Sequence, residues 1–296
     1  MWIVFFVIII VESLTTNRSV AQDFYSHWGD GRAEISSYHV NQSHYGESRE
    51  GYGVLIFVTE DLNTNTMVKV ESPIPSEDLV YVLKLNNVLK FKTGIYDYSI
   101  MTSVFSTVEP RLGETPFELQ KLSFSSQEWC GHVFEDVYPS VGDIRGNLHS
   151  YFEHEGTQKW EIERPHNFES EDHLLIRIRE LKGEWLKLGD SVELNLLPSL
   201  WKFRVRHEGR KLFNATVTKR ALEQIEVSGE MKQAVQWHWK SDHGETLVWV
   251  EQAAPHRILG WDDQGSSAKI IKTIRVPYWQ LNTNVHESFR EQLGIP

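Results

Sequence analysis

The sequence predicts an all-β protein, built mainly as an antiparallel barrel or as a curved sheet or sandwich, with one central and one C-terminal short helix. Three observations support this fold class. Short segments of alternating apolar and polar residues recur roughly every 8–12 residues, as in antiparallel strand proteins. The chain contains 11 Trp, 10 Tyr and 14 Phe, and aromatic residues favour strands. Long helical patterns do not alternate with the strands, which disfavours a parallel α/β fold.

The N-terminal segment predicts an exported protein. Residues 2–11 form an apolar run that is too short to span a bilayer comfortably. Ser19 and Ala21 match the small residues of a signal-peptidase site, so residues 1–21 are predicted to be a signal peptide. The alternative is an uncleaved N-terminal anchor. Residues 22–296 are expected to form a single β-rich domain, periplasmic or extracellular, without a transmembrane segment.

The first half of this domain contains the clearest strand patterns. Tyr52–Glu60 is a strongly β-prone run. Leu83–Lys92 alternates leucines and other apolar residues with lysines, and Ile95–Phe105 returns from it after Thr93-Gly94. A turn between two alternating runs is typical of a β-hairpin.

One segment breaks the strand pattern. Apolar residues at helical spacing predict a central helix over residues 171–181. Ser170 is placed to cap its N-terminus, Glu171 and Asp172 lie favourably in its first turn, and Gly183 can end it. The alternative to a single domain is two β-rich halves joined near this helix.

After the central helix the alternating pattern returns. It predicts a strand at Trp201–His207 and a hairpin that joins Ala234–Lys240 to Glu245–Gln252. A last pair of strands is predicted on either side of the polar loop 262–265. A short C-terminal helix is expected to stop at Gly294.

Composition excludes several classes of function. The net charge of −11 argues against a nucleic-acid-binding surface. An exported chain with one cysteine cannot form an internal disulfide, so its stability must come from core packing. The chain has no His-Glu-x-x-His, phosphate loop or dinucleotide fingerprint, so neither a metal site nor a cofactor is predicted. Adjacent carboxylates, such as Asp262 and Asp263, are interpreted as solvent-exposed loop residues.

The most chemically suggestive segment holds the only cysteine of the chain. Glu128, Cys130 and His132 are two residues apart, so on a strand they would share one face. A histidine beside a thiol can lower the pKa of that thiol and create a nucleophile, which makes these three the candidate catalytic residues. Residues two apart are rooted about 6.5–7 Å from each other, which weakens a direct Cys–His hydrogen bond. The alternatives are a buried, inert cysteine and a polar ligand pocket.

Aromatic side chains recur on the faces of predicted strands. Tyr96 and Tyr98 share one face, and Trp237 and Trp239 share another. These four are the candidate ligand-binding residues, because aromatic faces can line a cavity for an apolar ligand. The expected partner is a lipid or another amphipathic molecule. The alternative is an ordinary aromatic core.

Several segments resemble a family of uncharacterised exported bacterial proteins, namely Trp28–Ile35, Thr93–Tyr98 with Met101–Phe105, and Phe124–His132. The similarity continues through the central helix to Pro277–Trp279. Some members are labelled septum-formation inhibitor Maf, but the Ser- and Arg-rich phosphate-binding start of Maf proteins has no counterpart in this chain. The resemblance supplies no catalytic residues. The architecture is also similar to periplasmic β proteins that handle lipid or lipoprotein, by analogy of fold alone.

Three hypotheses about function follow. The leading one is a non-enzymatic exported protein that binds an apolar or amphipathic ligand on the concave side of its sheet. The second is a hydrolase or transferase that uses Cys130 with His132. The third is a structural or partner-binding envelope protein, which an exposed apolar patch without a pocket would favour. A fully filled interior would argue against the first hypothesis, and a buried, inert Cys130 against the second.

Overall fold

The structure is a computed structural model that describes residues 23–111 and 115–296. Within these ranges the chain forms sixteen strands, four short α-helices and three turns of 3₁₀-helix. None of the helices in these ranges has the length and apolar character that a bilayer crossing requires. The predicted signal peptide lies outside the described residues and stays a prediction.

Short turns connect many consecutive strands, so much of the chain is a succession of hairpins. The strands are β1 (Ala33–His44), β2 (Glu47–Asn63), β3 (Val68–Lys69), β4 (Leu79–Thr93), β5 (Tyr96–Thr107), β6 (Leu119–Glu128), β7 (Gly131–Pro139), β8 (Asp143–Ser150), β9 (Thr157–Glu163), β10 (Phe168–Ser170), β11 (Ser191–Leu197), β12 (Phe213–Val227), β13 (Glu230–Ser241), β14 (Gly244–Glu251), β15 (Ile258–Asp263) and β16 (Ser266–Val276). The helices are α1 (residues 23–28), α2 (Glu171–Arg177), α3 (Leu200–Arg206) and α4 (Ser288–Leu293). The 3₁₀ turns are Ser76–Asp78, Tyr278–Gln280 and Asn284–His286.

All sixteen strands belong to one sheet. Its order is β10-β11-β12-β13-β14-β15-β16-β1-β2-β4-β5-β6-β7-β8-β9, and β3 pairs with β2 outside this path. Neighbouring strands are antiparallel, except for the parallel pair β10 and β11. The prediction of a mainly antiparallel β fold is therefore confirmed. β10 and β9 remain at the two edges, so the sheet does not close into a barrel.

The sheet curves around α2 and α3. β13 and β5 are seven positions apart in the strand order, which would separate them by roughly 34 Å in a flat sheet. Yet Trp239 of β13 and Ile100 of β5 border the same cavity of about 300 Å³. Leu175 of α2 and Trp201 of α3 border that cavity too. The concave face of the sheet therefore encloses the two helices.

Side-chain alternation along the strands fills the core. On β6, Leu122 and Phe124 are buried, whereas Lys121, Ser123 and Ser125 are partly exposed. Each buried apolar side chain of this size contributes about 1.5–3 kcal/mol relative to an exposed one. One large apolar cluster contains residues from strands that precede and follow α2 in the sequence. The same period-two pattern that predicts strands therefore also predicts which of their residues are buried.

Both predicted helices are present, with one shorter than expected. α2 spans Glu171–Arg177 and has Ile178 as its C-cap, so it ends before Gly183. Ser170 occupies the N-cap position, but its hydroxyl makes no capping hydrogen bond. The start of α2 therefore depends on the acidic residues of its first turn. The C-terminal helix is confirmed as α4, which ends at Gly294 in the left-handed conformation (φ 65°).

The strand predicted at Trp201–His207 is wrong. Residues up to Arg206 form α3, and His207 is the C-cap in the left-handed conformation. Alternating aromatic or aliphatic and basic residues imitate a half-buried strand in this segment. The Ser199 hydroxyl accepts a hydrogen bond from the backbone N–H of Lys202 (3.2 Å), which fixes a helix start instead.

Candidate functional site

The interior of the curved sheet contains a cavity of about 300 Å³. One wall comes from β1, β2, β4 and β5, and another comes from β13 to β16, while α2 and α3 border the space between them. Its volume lies at the lower end of the usual range for small-molecule sites. Apolar side chains that line it include Val40, Leu89, Ile100, Leu175, Val248 and Trp261.

The cavity opens near the C-terminal part of α3 and the turn between β15 and β16. Among its lining residues, Val205 and Gln264 are exposed to solvent. Thr102, Trp239 and Val248 also line it but are buried. Val205 and Gln264 therefore mark the mouth. Thr102, Trp239 and Val248 mark the deep end.

The N-termini of α2 and α3 meet at the deep end. The Glu171 carboxylate accepts a hydrogen bond at Oε2 from the Ser199 N–H (2.9 Å). Asp172 accepts one at Oδ2 from the Leu200 N–H (3.0 Å). Amides at a helix start have no partner within the helix. The two acidic side chains of α2 thus satisfy the start of α3, and this contact holds them at the cavity.

Lys202 reaches from α3 into this acidic region. Its ammonium contacts Glu171 Oε1, lies 2.9 Å from Asp263 Oδ1 and lies 3.3 Å from the Thr246 hydroxyl. The Trp239 indole donates a further hydrogen bond to Glu171 Oε1 (2.9 Å). Since an ammonium has three N–H donors, all those of Lys202 are engaged. The deep cluster is defined here as Glu171, Asp172, Lys202, Thr246 and Asp263, and it extends from the deep end to Asp263, which adjoins the mouth residue Gln264.

Burial and local charge divide the carboxyl groups of the deep cluster. Burial, and then the negative charge of Glu171, raise the pKa of Asp172 to about 7, although a backbone hydrogen bond opposes them. Burial also acts to raise the pKa of Glu171, but the Lys202 ammonium and donated hydrogen bonds outweigh it and lower that pKa. Burial raises the pKa of Asp263 despite its contact with Lys202. Adjacent carboxyl groups with separated pKa values give one ionised group beside one that is about half protonated at pH 7.

Some polar groups that border the cavity have no hydrogen-bond partner among the described residues. Asp172 Oδ1 is one, and the hydroxyl of Thr102, a residue only 4% exposed, is another. The side-chain amide of Asn87 and the Oε1 of Gln42 are in the same condition. Thr102 and Asn87 are cross-strand partners on β5 and β4. None of these atoms is among the fully buried atoms without a partner, and their residues border the cavity, so a ligand there can add hydrogen bonds to them.

The three predicted catalytic residues lie around a turn. β6 ends at Glu128 and β7 begins at Gly131, so Trp129 and Cys130 form the turn and no shared strand face exists. Buried Glu128 accepts a hydrogen bond at Oε2 from the Cys130 N–H (2.6 Å). Cys130 and His132 are exposed, and no hydrogen bond or ion pair of the described residues joins them. Hydrogen bonding to Glu128 and its negative charge raise the pKa of the Cys130 thiol, which is opposite to nucleophile activation.

One of the four predicted ligand-binding aromatics borders the cavity. Trp239 lines its deep end. Tyr98 and Trp237 are buried in the core, and Tyr96 is partly buried against it. Trp201 of α3 also borders the cavity. Sequence reasoning missed Trp201 because its segment imitates a strand.

A second polar cluster has the connectivity of a serine-hydrolase triad. Ser106 Oγ lies 2.7 Å from His173 Nε2, and His173 Nδ1 lies 2.6 Å from Glu169 Oε1. Ser106 and His173 are fully buried, and neither borders the cavity. A nucleophile must reach its substrate, and this one has no route to it. The cluster therefore connects β5 to the start of α2.

The deep cluster was not predicted as a site. Glu171 and Asp172 match the ordinary acidic first turn of a helix, and Asp263 matches a polar loop. Lys202 lies in the segment that imitates a strand. These residues come from three separate parts of the chain, so only the fold brings them together. The one local signal is the pair of adjacent carboxylates at the start of an apolar helix.

The described ranges contain no group of three or more His, Cys, Asp and Glu side chains arranged to hold a metal ion. No known protein family, curated protein or solved structure matches the chain. The resemblance to exported bacterial proteins therefore stays a prediction. Function is accordingly inferred from the cavity and the deep cluster.

Proposed function

We propose that the protein binds a small amphipathic molecule in the cavity between the curved sheet and helices α2 and α3. The observation that carries the proposal is a cavity of about 300 Å³ in which apolar walls adjoin polar groups that have no hydrogen-bond partner among the described residues. Small-molecule sites typically combine a mainly apolar lining with a few placed polar groups. A fully filled interior would have argued against such a ligand.

The walls suit the apolar part of the molecule. Val40 and Val248 are buried on different walls. Leu175, Trp201 and Trp261 line the cavity as well. Burying an eight-carbon chain here would contribute about 6 kcal/mol, at about 0.8 kcal/mol per CH₂, before the cost of association. The polar end of the molecule would then lie at the deep cluster.

The two alternatives have less support. Cys130 is exposed, but it lacks an activating histidine contact and its thiol pKa is raised, so a thiolate nucleophile is disfavoured. A partner-binding role would be favoured by an apolar patch in a protein without a pocket. The described residues do enclose a pocket, which favours the ligand-binding hypothesis over the partner-binding one.

Binding of a fluorescent probe tests the proposal. N-phenyl-1-naphthylamine is neutral and fluoresces in apolar sites, and we expect the full chain to bind it. Val205→Trp places a larger side chain at the mouth and should weaken binding at least about tenfold, or about 1.4 kcal/mol. Val285→Trp is the matched control, because Val285 is 80% exposed and does not border the cavity. Equal affinities of the two variants, or no binding by the unmodified chain, would overturn the proposal.

We further propose that the protein is exported. The apolar run at residues 2–11 and the small residues before Gln22 support this. Expression of the full chain in a bacterial host should release a mature form that begins at Gln22, as measured by mass spectrometry of the intact protein. A chain that keeps residues 1–21 and remains in the membrane fraction would support the anchor alternative instead.

A further inference from the structure

We infer that the ligand carries an amine, whose ammonium group binds to Asp172 at the deep end of the cavity. This inference rests on the proposed function and narrows it to one chemical class. Three features carry it: the charge balance of the deep cluster, the free carboxyl oxygen of Asp172, and the tryptophans that border the cavity.

The deep cluster holds three carboxyl groups and one cation. The Lys202 ammonium contacts Glu171 and Asp263, whereas Asp172 has no cation within 4.0 Å among the described residues. Arg206, the other cation that borders the cavity, makes its side-chain hydrogen bonds at the mouth. Once Asp172 has lost its proton, above about pH 7, the deep end is therefore short of positive charge, and an ammonium ion would supply it.

One buried carboxyl group offers an oxygen to such an ion. Asp172 uses Oδ2 to accept from the Leu200 N–H, which leaves Oδ1 free. Asp263 already pairs with Lys202. Asp172 borders the cavity and is only 6% exposed. Ionised carboxyl oxygens only accept hydrogen bonds, so the group that binds them must donate.

The aromatic lining favours the same chemistry. Trp201, Trp239 and Trp261 border the cavity from α3, β13 and β15. A cation within about 6 Å of an indole centroid is attracted by the ring, typically by about 0.5–2 kcal/mol. Anions are repelled by the same ring faces. The hydroxyl of Thr102, a buried residue that borders the cavity, has no partner in the described part of the chain and can accept a further N–H from the ligand.

Protons compete with the ammonium for Asp172. The charged groups around Asp172 are Glu171 beside it on α2, Lys202 on α3 and Glu135 on β7, while Asp263 of β15 binds the same Lys202. Because the pKa of Asp172 is about 7, an arriving ammonium must displace a proton at acidic pH. The apparent Kd varies as the inverse of the deprotonated fraction of Asp172 and should be about tenfold larger at pH 6 than at pH 8.

Three competitors with matched chains test the inference. Octylammonium, 1-octanol and octanoate would displace N-phenyl-1-naphthylamine from the full chain at pH 6 and pH 8. At pH 8 we expect octylammonium to bind at least about tenfold more tightly than 1-octanol, with octanoate weakest. The Asp172→Asn variant should bind octylammonium about as tightly as 1-octanol. Its affinity for octylammonium should be the same at pH 6 and pH 8. Asp262→Asn is the matched control, because Asp262 is exposed and does not border the cavity.

The outcomes separate this inference from the proposed function. If 1-octanol or octanoate binds as tightly as octylammonium, the inference that the ligand carries an amine is contradicted. The proposal that the cavity binds an amphipathic molecule is then still supported. If neither the probe nor any competitor binds, both proposals fail. If Asp172→Asn does not fold, the unmodified chain still decides, since an octylammonium affinity that is equal at pH 6 and pH 8 would contradict the role of Asp172.

Discussion

Glu171 and Asp172 are consecutive buried residues on the first turn of α2, and only Glu171 is paired with a cation. Lys202 and the Trp239 indole stabilise the carboxylate of Glu171. Asp172 accepts its hydrogen bond from the Leu200 backbone N–H (3.0 Å). One carboxyl group is thus held ionised while its neighbour gains and loses its proton near neutral pH. This asymmetry gives the deep end of the cavity both its charge and its response to pH.

Asp172→Asn is expected to stabilise the protein more at pH 8 than at pH 5. An unfolded Asp has a pKa near 3.9, whereas the pKa of Asp172 in the fold is about 7. Between these values the folded state binds more protons than the unfolded state, so this group lowers stability as pH rises and its effect levels off above pH 7. The full penalty is on the order of 4 kcal/mol, and Asn avoids it. Urea unfolding at the two pH values measures the difference.

An exposed aspartate, Asp262, provides a control for this prediction. Asp262→Asn removes an exposed carboxylate of β15 that does not border the cavity. Because Asp262 is an exposed surface residue, its substitution should change the free energy of unfolding by less than about 0.5 kcal/mol. An equal effect of Asp172→Asn at the two pH values would contradict the raised pKa.

Lys202→Met is expected to destabilise the fold by about 3–5 kcal/mol, because it leaves buried carboxylates without their cation. Among the described residues, Lys202 is the only cation within 4.0 Å of Glu171 and of Asp263. Lys187→Met is the control, since Lys187 is exposed and should change stability by less than about 0.5 kcal/mol. Adding Glu171→Gln to Lys202→Met should recover part of the loss. Urea unfolding measures all three, and similar values for the two lysine variants would be incompatible with a buried ion cluster.

Ser106→Ala is expected to lower the free energy of unfolding by about 1–3 kcal/mol, because it removes a hydrogen-bond partner of the buried His173 ring. A fluorophosphonate probe, which labels nucleophilic serines, should not react with the native protein. Ser125→Ala is the control, since the Ser125 hydroxyl has no hydrogen bond in the described ranges. Labelling of Ser106 in the native state would show that the triad-like cluster is accessible and would refute its purely structural role.

Cys130 is expected to react with a thiol reagent in the native protein, but slowly. Its side chain is exposed, and Glu128 raises the pKa of the thiol, so the reactive thiolate is less populated below that pKa. Glu128→Gln removes the charge and should speed the reaction at pH 7. His132→Ala should leave the rate unchanged, because no hydrogen bond or ion pair of the described residues joins His132 to the thiol. A slower reaction in His132→Ala would support activation of the thiol by His132. The rate of thiol–disulfide exchange with the reagent is the measurement that decides.

The strands could be predicted because alternation is a local signal. Leu83, Leu85 and Phe91 are buried in the structure, as the alternation of Leu83–Lys92 predicts. The segment 201–207 carries the same kind of alternation but forms a helix. Its start is fixed by contacts with Glu171 and Asp172, which lie far away in sequence. Tertiary contacts therefore overrode the local pattern.

The candidate site was less predictable than the fold. Trp239 was found from its aromatic strand face, and it borders the cavity. Asp172 owes its raised pKa to burial and to a neighbouring charge, and the burial exists only after the sheet has curved around α2. Cys130 attracted attention as the only cysteine, but it lies in an exposed turn. Rarity in the sequence was thus a weaker guide than the chemistry of the enclosed space.

A crystal structure of the full chain with octylammonium at pH 8 would test the central claim most directly. We predict that the alkyl chain lies in the cavity beside Leu175 and Trp201, with the nitrogen within about 3.2 Å of Asp172 Oδ1. Octylammonium bound only on the outer surface, or bound in the cavity with its nitrogen at the mouth beside Val205, would contradict the account.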